Sequence, residues 1–184
     1  MRFTIFLALL ALAHAVDVFP AVEEMEELMF ADIPTTILNL HNQARAAKGI
    51  APLKWNTTIA KLAQSYSDQC KWGHSGRKGY GENIASGASS GAATAYSSQD
   101  ATGGVNGWNN EKKNWNCASN SCNGVCGHYT QVVWENTKQI GCGFTSCKKN
   151  TPFGSSFPNW KYLVCNYAAP GNYVGQRPFP SNKC

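Results

Sequence analysis

The chain has 184 residues, eight cysteines and a formal net charge of +5 at pH 7. The chain begins with the pattern of a secretory signal at residues 1–15. In such a chain an even number of cysteines argues against metal thiolates and a catalytic thiol, and it predicts a disulfide framework. Roughly 150 residues form the body of the chain, which suits one domain with its own core.

The first fifteen residues have the pattern of a secretory signal peptide. Arg2 precedes an apolar run over residues 3–12, and the small-residue pattern Ala13-His14-Ala15 follows. This run is too short to cross a bilayer, as a membrane anchor would have to do. We therefore expect cleavage after Ala15 and a secreted, extracellular, monomeric product with no transmembrane anchor.

Charge is divided unevenly along the rest of the chain. Residues 16–34 contain six acidic and no basic residues, whereas residues 35–184 contain fifteen basic and five acidic ones. We interpret residues 16–34 as an acidic tail or pro-segment that lies against the basic domain, with a plain disordered terminus as the alternative. The charge of the domain favours anionic partners such as acidic glycans, proteins or lipid headgroups, although a solvated basic surface explains it equally well. No nucleic-acid partner is expected.

Two helices are predicted at the start of the domain. The first begins at residues 34–36, where Pro34 biases the preceding residue away from a helix, and it ends at Gly49. Its apolar face consists of Ile37, Leu40, Ala44 and Ala47. The second begins near Asn56 and Thr57 and buries Ile59, Leu62, Ala63 and Tyr66 before Cys70. Asn56 also begins an acceptor sequence for N-glycosylation.

The middle of the chain is rich in Gly, Ala and Ser over residues 85–107, which predicts a mobile surface loop with a possible helical turn at residues 92–96. Three β-rich segments follow, at residues 129–135, 140–145 and 160–167. Helices before strands indicate an α+β fold with a largely antiparallel sheet.

Two motifs carry a resemblance to a known family. They are GHYTQVVW at residues 127–134, followed by GCG at 141–143, and CNY at 165–167, followed by PGNY at 170–173. The chain resembles the CAP family, the secreted cysteine-rich proteins that include plant pathogenesis-related protein 1 and insect venom allergen 5. The resemblance covers about residues 35–180 and implies a three-layer α-β-α sandwich.

The resemblance also implies two disulfides, Cys70–Cys142 and Cys147–Cys165. Four cysteines remain, Cys117, Cys122, Cys126 and Cys184, and here the chain departs from the six-cysteine plant pattern. Spacing alone cannot assign them, because eight cysteines permit about 105 pairings. Cys122–Cys126 together with Cys117–Cys184 is one option.

Four polar residues match the cleft tetrad of the family: His74, Glu82, Glu111 and His128. Two imidazoles and two carboxylates are a plausible ligand set for zinc, or a weaker one for other divalent ions. The alternative is a hydrogen-bonded cluster that orders the cleft without metal. His41 falls on the inner face of the first helix and is predicted to be a packed structural histidine.

Catalytic motifs are not evident, so no catalytic residue is assigned. The HExxH sequence of zinc proteases is absent, and the GASSG sequence at residues 87–91 lacks the apolar strand of a nucleophile elbow. A pair of glutamates could act on a glycoside, but nothing else indicates a sugar-binding groove.

Some CAP proteins bind sterols or fatty acids, which implies an apolar groove beside the cleft. The candidates are residues 85–107 with Tyr96, Trp108 and Trp115, although ordinary core and disulfide packing is the role that we favour for these aromatics. We therefore expect a non-enzymatic module that binds a sterol or other lipid and a divalent cation, acting in defence, virulence or immune modulation. The alternatives are a metal-assisted hydrolase and an extracellular adhesive that binds acidic glycans or proteins.

Overall fold

A computed structural model describes residues 20–89 and 91–184, with side chains from residue 33 onward apart from residue 89. The predicted signal peptide and residues 16–19 lie outside the described residues. The helices are α1 Pro20–Ala46, α2 Thr57–Ser67, α3 Ser98–Asn110 and α4 Gly127–Val132, with 3-10 turns at Glu111–Asn114 and Ser181–Lys183. The strands are β1 Lys54–Trp55, β2 Gly81–Ser89, β3 Trp115–Asn116, β4 Ser121–Cys122, β5 Gln139–Cys147 and β6 Asn159–Ala168.

Four strands form the central sheet in the order β1-β5-β6-β2. Only the β1–β5 pair is parallel; β5–β6 and β6–β2 are antiparallel. Alternate residues of β6 face opposite layers, as a strand requires. Tyr162 and Val164 pack with Ala63 of α2, whereas Leu163, Cys165 and Tyr167 belong to the core that includes side chains of α1, α3 and α4. The predicted three-layer α-β-α sandwich with a largely antiparallel sheet is confirmed.

The GCG motif sets the distance between α2 and the sheet. A Cβ atom on Gly141 would lie 2.2 Å from the backbone nitrogen of Ala60, and one on Gly143 would lie 2.2 Å from that of Gln64. Real Cβ atoms do not approach backbone so closely, so only glycine admits α2 at this position. Cys142 stands between the two glycines and faces the opposite layer.

Helix α2 agrees with the prediction, and helix α1 departs from it. Asn56 caps α2 by accepting the backbone N–H groups of Thr58 and Ile59. Helix α1 begins at Pro20 and continues through Pro34, so the predicted start at residues 34–36 is wrong. Ile33 and Ile37, on either side of the proline, are both buried in the core, and this packing outweighs the hydrogen bond that proline removes. No helix among the described residues is both long and apolar enough to cross a membrane.

Two further segments differ from the sequence prediction. Residues 85–107 are not one loop, because they include the end of β2 and most of α3, which begins at a capping box between Ser97 and Asp100. The predicted helical turn at residues 92–96 is not helical. The predicted strand at residues 129–135 is largely α4; its buried residues Tyr129, Val132 and Val133 have the i, i+3, i+4 spacing of a helix. The other two predicted strands are β5 and β6.

Four disulfides leave no free cysteine among the described residues. Cys117–Cys184 and Cys122–Cys126 agree with the pairing option from the sequence. The other two predicted pairs are wrong, because the bridges are Cys70–Cys147 and Cys142–Cys165.

The strand geometry explains the difference. Cys142 lies directly opposite Cys165 in the β5–β6 register. Cys147 faces the layer that contains α2. Cys70 comes just after the end of α2, so it lies in the same layer.

Candidate functional site

His128 and Glu111 form the first of two histidine–glutamate pairs. His128 Nδ1 lies 2.6 Å from Glu111 Oε1, while Glu111 Oε2 accepts the backbone N–H groups of His128 at 3.0 Å and Tyr129 at 3.3 Å. Glu111 follows α3 directly, so one carboxylate joins the end of α3 to the start of α4. Its negative charge stabilises the N-terminal end of that helix.

Arg45, which is buried in the core, binds the C-terminal end of α4. Its guanidinium is fully buried and donates to the carbonyls of Ala51, Val132, Trp134 and Thr137 at 2.8–3.0 Å. Burial lowers the pKa of Arg45 to about 10, so the group remains charged at neutral pH. The helix that carries His128 is thus fixed by an anion at its start and a cation at its end.

His74 and Glu82 form the second pair. His74 Nδ1 lies 2.9 Å from Glu82 Oε1, which also accepts the backbone N–H of Ser75 at 2.7 Å. The hydroxyl of Ser75 donates to Glu82 Oε2 at 2.5 Å. The His74 side chain is 59% exposed and that of His128 is 27% exposed, so water reaches both imidazoles.

The structure brings the four predicted site residues together as two pairs. Glu82 and its neighbour Asn83 are consecutive on β2, and Asn83 Nδ2 donates to the carbonyl of His128 at 3.0 Å. Across residues 33–88 and 91–184, no group of three or more His, Cys, Asp or Glu side chains is placed to hold a metal ion. Metal binding by the tetrad therefore stays a prediction.

The hydrogen bonds define which atoms could ligate a metal. Both carboxylates are occupied by donors from neighbouring residues, and both histidines are bonded through Nδ1. If Nδ1 carries the proton, Nε2 of each ring is left as an acceptor. Ligating histidines commonly donate their other ring nitrogen to a carboxylate in this way. Each ring thus presents Nε2 as a potential metal ligand, with its glutamate orienting it.

A buried network behind the pairs was missed at the sequence level. His41 is fully buried, its Nδ1 lies 2.7 Å from the carbonyl of Ile37, and its Nε2 lies 2.8 Å from the hydroxyl of Tyr167. Asn83 Nδ2 donates to the same hydroxyl at 3.1 Å. Burial lowers the pKa of His41 to about 4 and raises that of Tyr167 well above its ordinary value, so both are neutral. The prediction of a packed structural His41 is confirmed.

A cavity of about 570 Å³ extends from the Glu111–His128 pair along β2 and α3. Its apolar lining includes Ile84, Tyr96, Trp108 and Leu163. Trp108 stacks on the His128 ring at 6.1 Å and donates from Nε1 to the carbonyl of Ile84 at 3.1 Å. Of the three predicted groove aromatics, Tyr96 and Trp108 line this cavity.

Trp115 does not contribute to that lining, and the structure shows the ordinary core packing favoured for it. It packs in the core against Tyr129 and Phe179 because it lies in β3, beyond the end of α3.

Three glycines of α3 line the same cavity. A Cβ atom on Gly104 would lie 3.0 Å from Leu163 Cδ2, so packing against the sheet favours glycine there. A Cβ atom on Gly103 or Gly107 would meet nothing within 4 Å. Glycine inside a helix costs about 1 kcal/mol relative to alanine. At these two positions the packing does not require glycine, and its absent side chain leaves the cavity wider.

Comparison with known proteins confirms the resemblance seen in the sequence. The profile of the "Cysteine-rich secretory protein family" (CAP) matches residues 38–167. The chain has a central sheet between helical layers, it is cross-linked by disulfides, and the profile matches most of its length. The chain therefore belongs to the CAP family.

Its relatives include pathogenesis-related protein 1 of Arabidopsis thaliana, which is 42% identical over 80% of this chain and 83% of the relative. The basic form of pathogenesis-related protein 1 from Nicotiana tabacum is 40% identical over 79% and 75%. Among solved structures, venom allergen-like protein 4 of Schistosoma mansoni is similar with a TM-score of 0.62 and 28% identity, over 82% of this chain and 97% of that one.

Proposed function

We propose that this protein is an extracellular, non-enzymatic ligand-binding protein of the pathogenesis-related type, acting in defence, virulence or immune modulation. The predicted signal peptide supports an extracellular location. So do the four disulfides, since such bonds persist mainly in oxidising compartments. The names of the plant relatives support the defence role.

The ligand that we propose is a sterol or another lipid, held in the cavity between β2 and α3. The observation that carries this proposal is a cavity of about 570 Å³ with Tyr96, Trp108 and Leu163 in its lining and an imidazole at one end. Such a volume lies within the range of small-molecule sites, which are mostly apolar with a few placed polar groups. When no metal occupies the cleft, a hydroxyl at one end of an apolar ligand would donate to His128 Nε2.

Filling the cavity from α3 tests this proposal. Gly107→Phe places a ring in the open space beside Gly107, and we expect it to reduce the binding of a radiolabelled sterol by at least about tenfold while making α3 more stable. Gly107→Ala is the matched control, because it gives an even larger gain in helix propensity with little loss of volume, and it should still bind. Undiminished sterol binding by Gly107→Phe, with the fold intact, would place any ligand elsewhere.

We also propose that the cleft binds a divalent cation, with zinc preferred, through His74 and His128. Imidazole nitrogen suits zinc, and the two glutamates hold the rings through Nδ1. When bound, zinc would supply a Lewis-acidic centre beside the cavity.

Calorimetric titration with zinc tests this cation site. Heat of binding should be lost in His128→Ala and in His74→Ala, and it should be kept in His41→Gln, which removes a histidine outside the cleft. Equal heats from the wild-type protein and both cleft variants would reject the site.

The geometry does not favour the hydrolase alternative. Each glutamate accepts two hydrogen bonds from neighbouring residues and is paired with a histidine, so most of its lone pairs already serve to position those groups. A general base, in contrast, needs an open lone pair that faces the attacking water. A ligand-binding role uses the same groups as they stand.

A further inference from the structure

Three large aromatic side chains are exposed at one end of the central sheet. Trp72 is 45% exposed, Phe153 is 37% exposed and Phe157 is 38% exposed. Three exposed lysines, Lys71, Lys148 and Lys149, accompany them. These six residues, named here the hairpin patch, come from the segment after Cys70 and from the loop between β5 and β6.

A disulfide and a ring contact bring the two segments together. Cys70, which precedes Lys71, is bonded to Cys147, which precedes Lys148. The Trp72 ring lies 6.4 Å from that of Trp160, whose Nε1 donates to the carbonyl of Lys149 at 2.8 Å. The patch therefore has a fixed base, while its lysines and phenylalanines extend into water.

Negative charge is sparse in the segments that carry the hairpin patch. No Asp or Glu occurs in residues 69–81 or in residues 136–184. Asp68, the nearest acid in the sequence, accepts hydrogen bonds from Gln64 and from the hydroxyl of Thr145. Within the described part of the chain, none of the three lysines forms an ion pair. Their charge is thus available to an anionic partner.

We propose that the hairpin patch docks the protein on an anionic lipid membrane surface. Lysine side chains are attracted to the negative potential of acidic lipids, and Trp and Phe rings gain by entering the boundary between headgroups and acyl chains. Exposed rings interspersed with unpaired lysines match both requirements. A sulfated glycan would use the lysines alone and would leave the cost of exposing three rings unexplained. The patch lies outside the lining of the cavity, so the proposal stands independently of the lipid ligand.

Cosedimentation with vesicles tests the membrane proposal. The full chain should bind phosphatidylcholine vesicles that contain about one third phosphatidylserine, bind pure phosphatidylcholine far more weakly, and lose binding as salt is raised. Lys148→Ala/Lys149→Ala should weaken binding on the order of tenfold. Phe153→Ser/Phe157→Ser should also weaken it, and neither phenylalanine is part of the buried core, so the fold should persist.

Matched variants separate the patch from net charge and from general exposure. Lys112→Ala/Lys113→Ala removes the same charge from another exposed segment, and Tyr173→Ala removes an exposed ring from the C-terminal tail; neither should change binding. Trp72→Phe should bind normally but lose most of the fluorescence quenching that brominated acyl chains produce in the wild-type protein. Equal losses in patch and control variants would overturn the proposal. So would an absence of vesicle binding, or binding to heparin alone with the same dependence on the lysines.

Discussion

Asn83 connects the candidate site to the core at the level of single atoms. One amide group donates both to the carbonyl of His128 and to the hydroxyl of Tyr167, which in turn contacts His41. The position of His128 is therefore set by buried neutral groups as well as by Glu111. Each partner comes from a different element, so only the folded register of β2 and β6 brings them into contact.

Titration of His41 should make stability depend on pH. The folded state holds the pKa of His41 at about 4, whereas the unfolded chain has the ordinary value of 6.5. As the pH falls from about 6.5 to 4, the unfolded state binds a proton that the folded state resists, so the free energy of unfolding should fall by about 3 kcal/mol. Chemical denaturation at a series of pH values measures this change.

His41→Gln supplies the control for that measurement. Glutamine does not titrate, while His74 and His128 remain in both proteins, so the difference between the two pH profiles isolates His41. Identical profiles over this interval would show that burial does not keep His41 neutral.

The contact between α2 and β5 depends on two missing side chains. Gly143→Ala would push a methyl group into the backbone of α2, because its Cβ would lie 2.2 Å from the nitrogen of Gln64. Overpacking of this kind typically costs about 1–3 kcal/mol, and here the neighbour is backbone that cannot rotate away. We expect the midpoint of thermal unfolding to fall accordingly.

Gly87→Ala, in the same sheet, is the control for Gly143→Ala. Gly87 also lies in a strand, yet an added Cβ meets nothing within 4 Å. Its substitution should change the free energy of unfolding by no more than about 0.5 kcal/mol. Similar losses at both positions would mean that glycine is required by strand conformation and not by the approach of α2.

Sequence patterns predicted the helices and strands whose formation depends on neighbouring residues in the chain. Asn56 caps α2 as expected, and β5 and β6 follow their runs of β-forming residues. Helix α4 was missed because Tyr129, Val132 and Val133 are β-formers by type, and their helical spacing is too short to stand out. Helix α3 was missed because its glycines resemble a loop, while burial of Ala101, Val105 and Trp108 stabilises it.

The candidate site was predictable only where the family motifs are local. All four tetrad residues fall in one of two pairs, but which histidine meets which glutamate depends on how β2, α3 and α4 pack together. The disulfide error has the same origin: Gly141 and Gly143 face α2, so Cys142 must face the other layer and cannot reach Cys70. The alternation of side chains along β5 predicts that Cys142 lies on the opposite face from Gly141 and Gly143. Only the position of α2 shows which of the two faces it covers.

At the scale of the whole molecule, the bridge between Cys117 and Cys184 joins the C-terminal residue to the segment after α3. Arg177 reinforces it by donating to the carbonyls of Cys117 and Ala118, and Lys48 Nζ donates to the carbonyl of Cys184 at 3.1 Å. The bridge spans 67 residues. Residues 117–184 are therefore closed into one large ring that contains β5 and β6.

Opening this ring should destabilise the fold more than opening the small one. On the chain-entropy estimate, Cys117→Ser/Cys184→Ser should lower the free energy of unfolding by about 4 kcal/mol, and Cys122→Ser/Cys126→Ser by about 2 kcal/mol. The second bridge spans only four residues. Denaturant titrations of the two double variants provide the measurement, and an equal or reversed order would contradict a chain-entropy origin.

The same ring determines the outcome of a single backbone cut by a protease. Val174 is fully exposed within the tail that the ring encloses. Hydrolysis beside it would produce two polypeptides that stay joined by sulfur, migrate as one band without reductant and separate only when thiol is added. Release of a fragment from this region thus requires two chemical events, one hydrolytic and one reductive.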